Sequence, residues 1–401
     1  MIKKTLLAAC VGVLVACSAS GGGPAEDLGT TGQSIIKGKP SDATEDAVVL
    51  IFILDQATGF AASCTGTLLT SKLVLTARHC VSDTDESALC DVSGKPLSGG
   101  TVRSNRPPAQ FNIYVGARSP DFNSGVLPPP QAGAAKIVTD GSKTLCNHDV
   151  ALIELDKEIV NAKILPVRLD SSAAKGDVIT SIGWGVTDRT QMPTVRQKRA
   201  GVVVKTIGPA DLQTGAVSPN ELEVGESICS GDSGGPAVAA NGAVVGVVSR
   251  GGNGTMPSMS NPASACEGVD TLNLYTRPDP FKDLIVNAAA ELGQTVWIDG
   301  QPDPRLATNG AACTADTDCQ STHCYKGATC AADCSVNACE SGFTCNGDKL
   351  CIKIPATTTT TSGCAAAPGA SDAGNAALVG GLVAFAIVLS ARRRKGGPRG
   401  R

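Results

Sequence analysis

The sequence predicts an all-β domain followed by a small disulfide-rich module and a C-terminal hydrophobic helix. Short runs of strand-forming residues recur between turn residues, a pattern typical of all-β folds; they are residues 47–54, 73–76, 178–182, 200–207 and 243–249. Apolar residues at helical spacing over residues 280–292 predict one helix at the end of the β domain. Farther along, eight cysteines fall within 39 residues, and an apolar segment precedes a basic tail.

Length and composition narrow the class of protein. A chain of 401 residues allows two or three domains, and residues 35–298 are enough to bury a full core. The net charge is −3 and aromatic residues make up only 3% of the chain, so nothing favours nucleic acid as a partner. Seventeen cysteines indicate an oxidising compartment, and therefore export.

The N-terminus, residues 1–20, has the features of an export signal. Two lysines precede an apolar run over residues 5–16 that is too short to span a bilayer. The run ends in Leu-Val-Ala-Cys at Cys17, which resembles a bacterial lipobox and implies lipidation of Cys17. Ordinary signal cleavage after Ser20 is the alternative. Residues 21–34 are then expected to be a linker or propeptide.

A serine flanked by glycines is the most informative feature of the chain. Residues 229–236 are Cys-Ser-Gly-Asp-Ser-Gly-Gly-Pro, a sequence that suits a tight turn with an exposed hydroxyl on Ser233. Serine is a weak nucleophile until a base takes its proton. The chain has only three histidines, His79, His148 and His323. We interpret His148 as a neighbour of Asp149 with no catalytic role.

The order of these residues separates two classes of hydrolase. The pattern Gly-x-Ser-x-Gly also fits the nucleophile elbow of α/β-hydrolases, whose acid and histidine follow the serine. The only histidine after Ser233 is His323, which lies among the clustered cysteines. The order His79, Asp149, Ser233 is instead that of chymotrypsin-like proteases.

Residues 35–298 therefore resemble the chymotrypsin (trypsin-like) serine protease family. Besides the serine segment, the resemblance rests on residues 64–69, 74–80, 149–155, 164–167, 183–185, 247–249 and 275–277. It implies a double six-stranded β-barrel with a C-terminal helix, protein or peptide substrates and no cofactor. It also implies that Ser233 is the nucleophile, His79 the base and Asp149 the acid that orients it. The backbone amides of Gly231 and Ser233 would form the oxyanion hole.

The start of this domain resembles the activation site of family zymogens. The sequence Ser-Ile-Ile-Lys-Gly implies cleavage between Ser34 and Ile35, after which the new amino group would pair with Asp232. A buried carboxylate needs such a partner because an unpaired buried charge is unfavourable. Two residues depart from the family pattern. Lys37 replaces a small residue, and Ser34 replaces the usual lysine or arginine, so the activating protease is unknown.

The resemblance assigns four residues to the substrate pocket, namely Ser227, Ser249, Gly251 and Asn273. Ser227 stands at the base of the pocket and is neutral, so the aspartate that selects lysine and arginine is missing. We therefore predict a preference for a non-basic residue before the scissile bond. Glu226 is adjacent and could contribute charge if the loop is shifted.

Six cysteines in this region are expected to form three disulfides. The resemblance implies Cys64–Cys80 and Cys229–Cys266, and Cys90 and Cys146 then remain to pair with each other. An insertion, residues 82–110, carries the acidic side chains of Asp83, Asp85 and Glu86. We expect a solvated surface loop there and no metal, with a calcium loop as the alternative.

Residues 299–310 are predicted to be a linker, and residues 311–352 a cysteine-rich module. A module this small needs covalent crosslinks because it cannot build an adequate core. Four disulfides are favoured over a zinc site with His323 as a ligand, because no Cys-x₂-Cys pair is present. The eight cysteines allow many pairings, so the connectivity stays open.

The C-terminus has three parts. Residues 353–374 form a Thr-rich linker with a Gly-Cys motif at Cys364, residues 375–391 a hydrophobic transmembrane or sorting helix, and residues 392–401 a basic tail that marks the cytoplasmic side. This arrangement resembles the MYXO-CTERM sorting signal of myxobacteria. It implies cleavage near Cys364 and transfer to the cell surface. A plain C-terminal membrane anchor is the alternative.

Together, these features predict an exported serine endopeptidase of the cell envelope or outer surface, or one released from it. Membrane attachment would use the lipid on Cys17, the C-terminal helix, or both. Cleavage before Ile35 would remove the lipid anchor, so that the C-terminal attachment alone would hold the active enzyme. A non-catalytic surface adhesin on a protease scaffold is the alternative of a different class.

Overall fold

A computed structural model describes residues 35–85, 87–122, 126–186, 194–213, 215–256, 258 and 260–355. The described residues through Lys353 belong to one compact unit. The predicted signal peptide, propeptide, C-terminal helix and basic tail lie outside the described residues, as do Cys17, Ser34 and Cys364. Within the described part of the chain, no helix is both long enough and apolar enough to cross a membrane.

Short strands dominate the described chain. In chain order they are β1 (Lys39–Pro40), β2 (Val48–Asp55), β3 (Phe60–Thr70), β4 (Leu73–Thr76), β5 (Ser82–Thr84), β6 (Ala88–Cys90), β7 (Pro96–Gly99), β8 (Val102–Asn105), β9 (Phe111–Tyr114), β10 (Ala132–Val138), β11 (Ala151–Leu155), β12 (Val178–Gly183), β13 (Gln197–Ile207), β14 (Ala210–Leu212), β15 (Gly215–Val217), β16 (Glu221–Val224), β17 (Pro236–Ala239), β18 (Val244–Gly252), β19 (Leu272–Thr276), β20 (Cys324–Tyr325), β21 (Thr329–Cys330), β22 (Phe343–Cys345) and β23 (Cys351–Lys353). Two α-helices, α1 (Arg78–Val81) and α2 (Lys282–Glu291), accompany them. Short 3₁₀ turns occupy Ala43–Glu45, Pro108–Gln110, Ser264–Cys266, Asp279–Phe281 and Asp316–Asp318.

The first barrel is a closed ring of six antiparallel strands in the order β10-β11-β4-β3-β2-β9. Its strands are rich in valine, leucine and isoleucine, whose branched side chains pack well on a pleated surface. β4 and β11 are buried along their whole length. Helix α2 covers this barrel, and its Ile285, Ala288 and Ala289 join the same core. The helix lies within the predicted residues 280–292.

The second barrel contains β13, β12, β17, β18, β19 and β16 in ring order. A pairing between β13 and β16 closes the ring, and β1 adds to the outer edge of β13. The predicted double six-stranded barrel is therefore confirmed. The core of the second barrel includes Ile35, Val204, Val224 and Tyr275. Ile35 is fully buried although it lies at the very start of the described chain.

The insertion at residues 82–110 lies mostly at the surface, as expected, and its backbone also forms short strands. β5 pairs with β8, and β6 pairs with β7. Asp85 accepts hydrogen bonds from Arg103 and from the backbone amide of Thr101. The side chain of Asp83 lies 3.8 Å from Arg103. Glu86 lies outside the described residues. Asp83 and Asp85 thus each have Arg103 as a partner within the protein.

The segment predicted as a linker contacts the stretch of chain between β11 and β12, which connects the two barrels. Ile298 forms a β-bridge with Val167, and Arg168 donates a hydrogen bond of 2.7 Å to Asp299. Asp303 is buried and binds Arg305. The contact of Asp299 with Arg168 ties the start of residues 299–310 to another part of the chain. Arg305 neutralises the buried carboxylate of Asp303, which would be unfavourable without a partner.

The cysteine-rich module consists of two similar halves. Its disulfides are Cys313–Cys324, Cys319–Cys330, Cys334–Cys345 and Cys339–Cys351. In each half the first cysteine therefore pairs with the third and the second with the fourth. A small hairpin, β20–β21 or β22–β23, completes each half. The four predicted disulfides are confirmed, and His323 instead contacts the backbone carbonyl of Ser321.

Candidate active site

The three predicted catalytic residues line one cavity. His79 lies in α1 directly after β4, Asp149 precedes β11, and Ser233 occupies the turn before β17. The first two residues belong to the first barrel and the third belongs to the second barrel. Their side chains line a cavity of about 340 Å³. The site is thus assembled by packing the two barrels against each other.

His79 and Asp149 form a close, mostly buried pair. The Nδ1 atom of His79 lies 2.8 Å from Oδ2 of Asp149, and the backbone amide of His79 donates to Oδ1 at 2.9 Å. Burial alone lowers the pKa of His79, but the charge of Asp149 and its hydrogen bond raise it overall. The two bonds fix the imidazole so that Nε2, the other ring nitrogen, is the one that can exchange a proton.

Ser249 provides a further contact to Asp149 that the sequence did not indicate. Its hydroxyl donates a hydrogen bond of 2.6 Å to Oδ2 of Asp149. Burial alone would raise the pKa of Asp149, but the charge of His79 and the hydrogen bonds from His79 and Ser249 lower it overall. Ser249 also lines the cavity. It therefore holds the carboxylate in addition to forming part of the predicted substrate pocket.

The turn that carries Ser233 requires glycine on its C-terminal side. Gly234 has a φ of +80°, which side chains rarely adopt, and a Cβ there would overlap the hydroxyl of Thr76. The carbonyl of Ser233 accepts a hydrogen bond of 2.8 Å from the amide of Thr65 in the first barrel. The position of the serine is therefore fixed by contacts to both barrels.

The backbone amides around Ser233 fall into two groups. Those of Asp232, Gly234 and Gly235 donate hydrogen bonds to backbone carbonyls. Those of Gly231 and Ser233, the predicted oxyanion donors, donate to no other described residue. Buried amides are nearly always bonded to protein or water, so two neighbouring amides without a protein partner beside a nucleophile suit an incoming oxygen atom.

Asp232 is fully buried beside this turn. Its carboxylate accepts hydrogen bonds from the amides of Gly185 at 2.7 Å and Cys229 at 2.8 Å. A Cβ at Gly185 would lie within 2.5 Å of this carboxylate group, so the glycine makes the close approach possible. Burial raises the pKa of Asp232 to about 7. Among the described side chains, none that carries positive charge forms an ion pair with it.

Comparison with known proteins agrees with this geometry. A family model described as Trypsin matches residues 35–270. The chain belongs to the trypsin family. It is similar to phenoloxidase-activating factor 1 of Holotrichia diomphalia, with 29% identity over 203 residues, and the matched part covers 44% of this chain and 50% of that protein. The chain thus spans about half the length of this relative.

Two venom proteins are matched over more of their length. Snake venom serine protease Haly-2 of Gloydius brevicauda is 31% identical over 203 residues, or 47% of this chain and 68% of that protein. The thrombin-like enzyme acutin of Deinagkistrodon acutus is 29% identical over 238 residues, or 56% of this chain and 89% of that protein. These trypsin-family relatives support assignment of the chain to the serine endopeptidases, which are hydrolases.

The three disulfides predicted for this region, two from the resemblance and one by elimination, are all formed. They are Cys64–Cys80, Cys90–Cys146 and Cys229–Cys266. The first of them connects β3 to α1, which carries His79. The last joins two segments that line the cavity.

Three of the four residues predicted for the substrate pocket line the cavity, and the fourth does not. Ser249, Gly251 and Asn273 line it, and Asn273 donates a hydrogen bond of 3.0 Å to the carbonyl of Gly225. Ser227 is fully buried and is not among the lining residues. Glu226 is also absent from the lining, because its carboxylate binds Lys37 and the amide of Gly268 instead.

Two cavity walls could not be anticipated from the trypsin-family pattern. The insertion contributes Thr84, Asp85 and nearby small residues to one side of the cavity. Arg250 contributes to another side, where it binds the fully buried Glu221 through contacts of 2.6 and 3.1 Å. His148 instead pairs with Asp140 at 2.5 Å and does not line the cavity.

Proposed function

We propose that this protein hydrolyses peptide bonds in proteins through Ser233, His79 and Asp149. The proposal rests above all on the His79–Asp149 contact of 2.8 Å, which lies in the same cavity as the hydroxyl of Ser233. A serine needs an adjacent base to become nucleophilic, and that base needs a third group to orient it. The cavity contains all three groups, and none of these three positions departs from the trypsin-family pattern.

The reaction follows from these positions. Ser233 Oγ attacks the carbonyl carbon of the scissile bond while Nε2 of His79 accepts its proton. Asp149 stabilises the imidazolium, consistent with the raised pKa of His79. The amides of Gly231 and Ser233 donate to the oxyanion. The carbon–nitrogen bond then breaks, and His79 gives its proton to the leaving amine.

An acyl-enzyme on Ser233 is the product of this first half. Water then attacks the ester carbonyl while His79 again takes a proton, and the same two amides stabilise the second oxyanion. When that intermediate collapses, His79 returns the proton to Ser233 Oγ and the acid product leaves. Nothing besides water and the peptide is consumed.

Activation by cleavage between Ser34 and Ile35 is the second part of the proposal. Asp232 is a buried carboxyl group with two amide donors and a pKa raised to about 7. Ile35, fully buried in the second barrel, is adjacent in sequence to the proposed cut. A free ammonium group at Ile35 would provide the missing countercharge, and ion pairing would lower the pKa of Asp232.

We further propose a preference for a non-basic residue before the scissile bond. Two neutral residues that line the cavity, Gly251 and Asn273, support this preference. Ser227, the residue expected at the base of the pocket, is also neutral, but it is buried and does not line the cavity. Glu226 adds no negative charge to the cavity wall because Lys37 binds its carboxylate at 2.6 Å.

Of the two carboxylates among the described lining residues, Asp149 binds His79 and Asp85 binds Arg103. A buried lysine or arginine side chain would therefore have no free carboxylate as a partner.

Export and attachment to the cell surface complete the proposal. Seven disulfides among the described residues support an oxidising location. Attachment through a lipid on Cys17 or through the C-terminal segment at residues 375–391 rests on the sequence patterns alone.

The test is hydrolysis of a mixed peptide library by the chain beginning at Ile35. We expect cleavage after non-basic residues, identified by mass spectrometry of the products. The Ser233→Ala variant, which preserves the fold but lacks the nucleophile, should release no products above background. Equal cleavage by both proteins would indicate a contaminating protease. No cleavage by either protein, while both are folded, would favour the adhesin alternative.

A further inference from the structure

The carboxylate of Glu226 joins three separate segments of the chain. Its Oε1 atom lies 2.6 Å from Nζ of Lys37, and its Oε2 atom accepts a hydrogen bond of 2.7 Å from the amide of Gly268. Arg199, in β13, lies 3.5 Å from Oε1. The side chain of Glu226 is only 12% exposed, whereas that of Lys37 is 67% exposed, so the ion pair lies at the edge of the solvent. The carboxylate thus links the N-terminal segment, β13 and the loop around Gly268.

Arg199 strengthens the same connection through the backbone. Its Nη1 atom donates to the carbonyl of Ile36 at 2.8 Å and to the carbonyl of Glu226 at 2.7 Å. Ile36 is almost fully buried and packs with the disulfide Cys229–Cys266. Burial alone would raise the pKa of Glu226, but the contacts with Lys37, Gly268 and Arg199 lower it overall, so the ion pairs persist at neutral pH.

These contacts reach the proposed active site through a short stretch of chain. Glu226 immediately precedes Ser227, and the same loop continues to Gly231 and Ser233. Gly268 follows Cys266, which lines the cavity and is joined by a disulfide to Cys229 of the same loop. A group that binds both Glu226 and Gly268 therefore contacts two chain segments that lead into the cavity lining.

The contacts also differ from the proposed activation contact in one chemical respect. The partner of Asp232 would be an ammonium group that exists only after cleavage before Ile35. Lys37 and Arg199 carry their charges whether or not the chain is cleaved. The residues around Ile36 can therefore be held in place by side chains alone.

We propose that Lys37, Arg199 and Glu226 form a latch that seats residues 35–38 against the loop 225–232 before cleavage. The uncleaved chain is then already partly reactive, and cleavage adds a second anchor at Asp232. The three latch residues are positioning residues, since none of them lines the catalytic cavity. This inference rests on the proposed function, and it gives a role to the lysine at a position where a small residue is usual.

The experiment compares active-site labelling of the intact chain and of the chain beginning at Ile35. Each form is purified, checked by N-terminal sequencing, and treated with a fluorophosphonate probe to obtain a second-order labelling rate. In the intact form, Lys37→Met is expected to slow labelling about fivefold, the upper range for an ion pair with an exposed lysine. In the cleaved form the same change should slow labelling less than about twofold, because the second anchor is present.

Two further variants separate positioning from a general loss of stability. Lys37→Arg should be labelled at about the wild-type rate, unlike Lys37→Met, because a guanidinium group can also bind the carboxylate of Glu226. Lys39→Met removes the same charge two residues away, on an exposed position of β1, and should leave both rates unchanged. Melting temperatures of all variants are measured in parallel, since a purely structural role would lower them without changing the ratio of the two rates.

Each result bears on a different part of the reasoning. If the cleaved chain is labelled but the intact chain is inert, the latch is wrong and the proposed activity stands. If Lys37→Met and Lys39→Met affect the intact chain equally, the latch is again wrong. If neither form is labelled, the proposed activity fails and the latch fails with it.

Discussion

The buried carboxyl group of Asp232 makes the stability of the uncleaved chain depend on pH. Asp232→Asn isolates this effect, because asparagine has nearly the same shape and does not titrate. In the folded protein burial raises the pKa of Asp232 from 3.8 to about 7, although the hydrogen bonds from two backbone amides oppose this shift. In the unfolded chain the group returns to its ordinary value.

The sign of the effect follows from proton binding. Between about pH 4 and pH 7 the folded protein keeps the proton on Asp232, whereas the unfolded chain has lost it. Stability therefore falls as pH rises through this window, and the contribution of the group is lost above the folded-state pKa. Each unit of pKa difference corresponds to about 1.4 kcal/mol, so the full difference is about 4 kcal/mol.

Urea unfolding of the intact wild-type chain and of Asp232→Asn at pH 4, 5.5 and 8 measures this contribution. The other carboxyl groups are common to both proteins and cancel in the difference of their unfolding free energies. We expect the variant to gain about 4 kcal/mol relative to the wild type between pH 4 and pH 8. A difference that stays constant with pH would refute the reasoning. In the chain beginning at Ile35, the proposed ion pair should largely remove the pH dependence.

Three further changes test separate contacts. Ser249→Ala removes the 2.6 Å hydrogen bond to Asp149 and should lower kcat/KM for a peptide substrate about tenfold, measured by steady-state kinetics with little change in melting temperature. Gly234→Ala should destabilise the fold by about 3 kcal/mol, seen in urea unfolding, because the residue has a φ of +80° and no space for a Cβ. Replacing both Cys90 and Cys146 by serine should lower the unfolding free energy by about 4 kcal/mol, because their disulfide closes a loop with a sequence separation of 56 residues.

Much of the fold was predictable because its signals are local or depend on order along the chain. Alternating strand and turn signals indicated an all-β domain, and the order His79, Asp149, Ser233 selected one hydrolase architecture over another. The three disulfides of the protease region followed from the resemblance, with Cys90 and Cys146 paired by elimination. Each is formed.

Contacts between distant segments could not be predicted from the sequence. Ser249 and Asp149 are 100 positions apart in the chain. They come into contact because the fold brings β18 of the second barrel next to the part of the first barrel that carries Asp149. The direction of the Glu226 side chain is another example. The sequence left open a charge in the substrate pocket, whereas contacts with Lys37 and Gly268 hold the carboxylate outside the cavity lining.

Composition left the local structure of two segments open. The acidic insertion at residues 82–110 is mostly exposed, as a solvated loop should be, and its backbone also pairs into two small ladders and contributes to the cavity wall. The polar segment at residues 299–310 was predicted as a linker, and composition did not indicate that its Asp299 and Asp303 would each bind an arginine. In both segments arginine partners supplied by the fold satisfy charges that composition alone assigns to solvent.

The nucleophile can be tested directly by mass spectrometry. The folded chain beginning at Ile35 is treated with a fluorophosphonate, digested, and searched for adducts, with urea-unfolded protein as the matched control. We expect one adduct, on Ser233, absent from the unfolded sample, because only the folded site brings His79 to the serine. No adduct in the folded protein, or one on another residue, would contradict the assignment of Ser233 as the catalytic nucleophile.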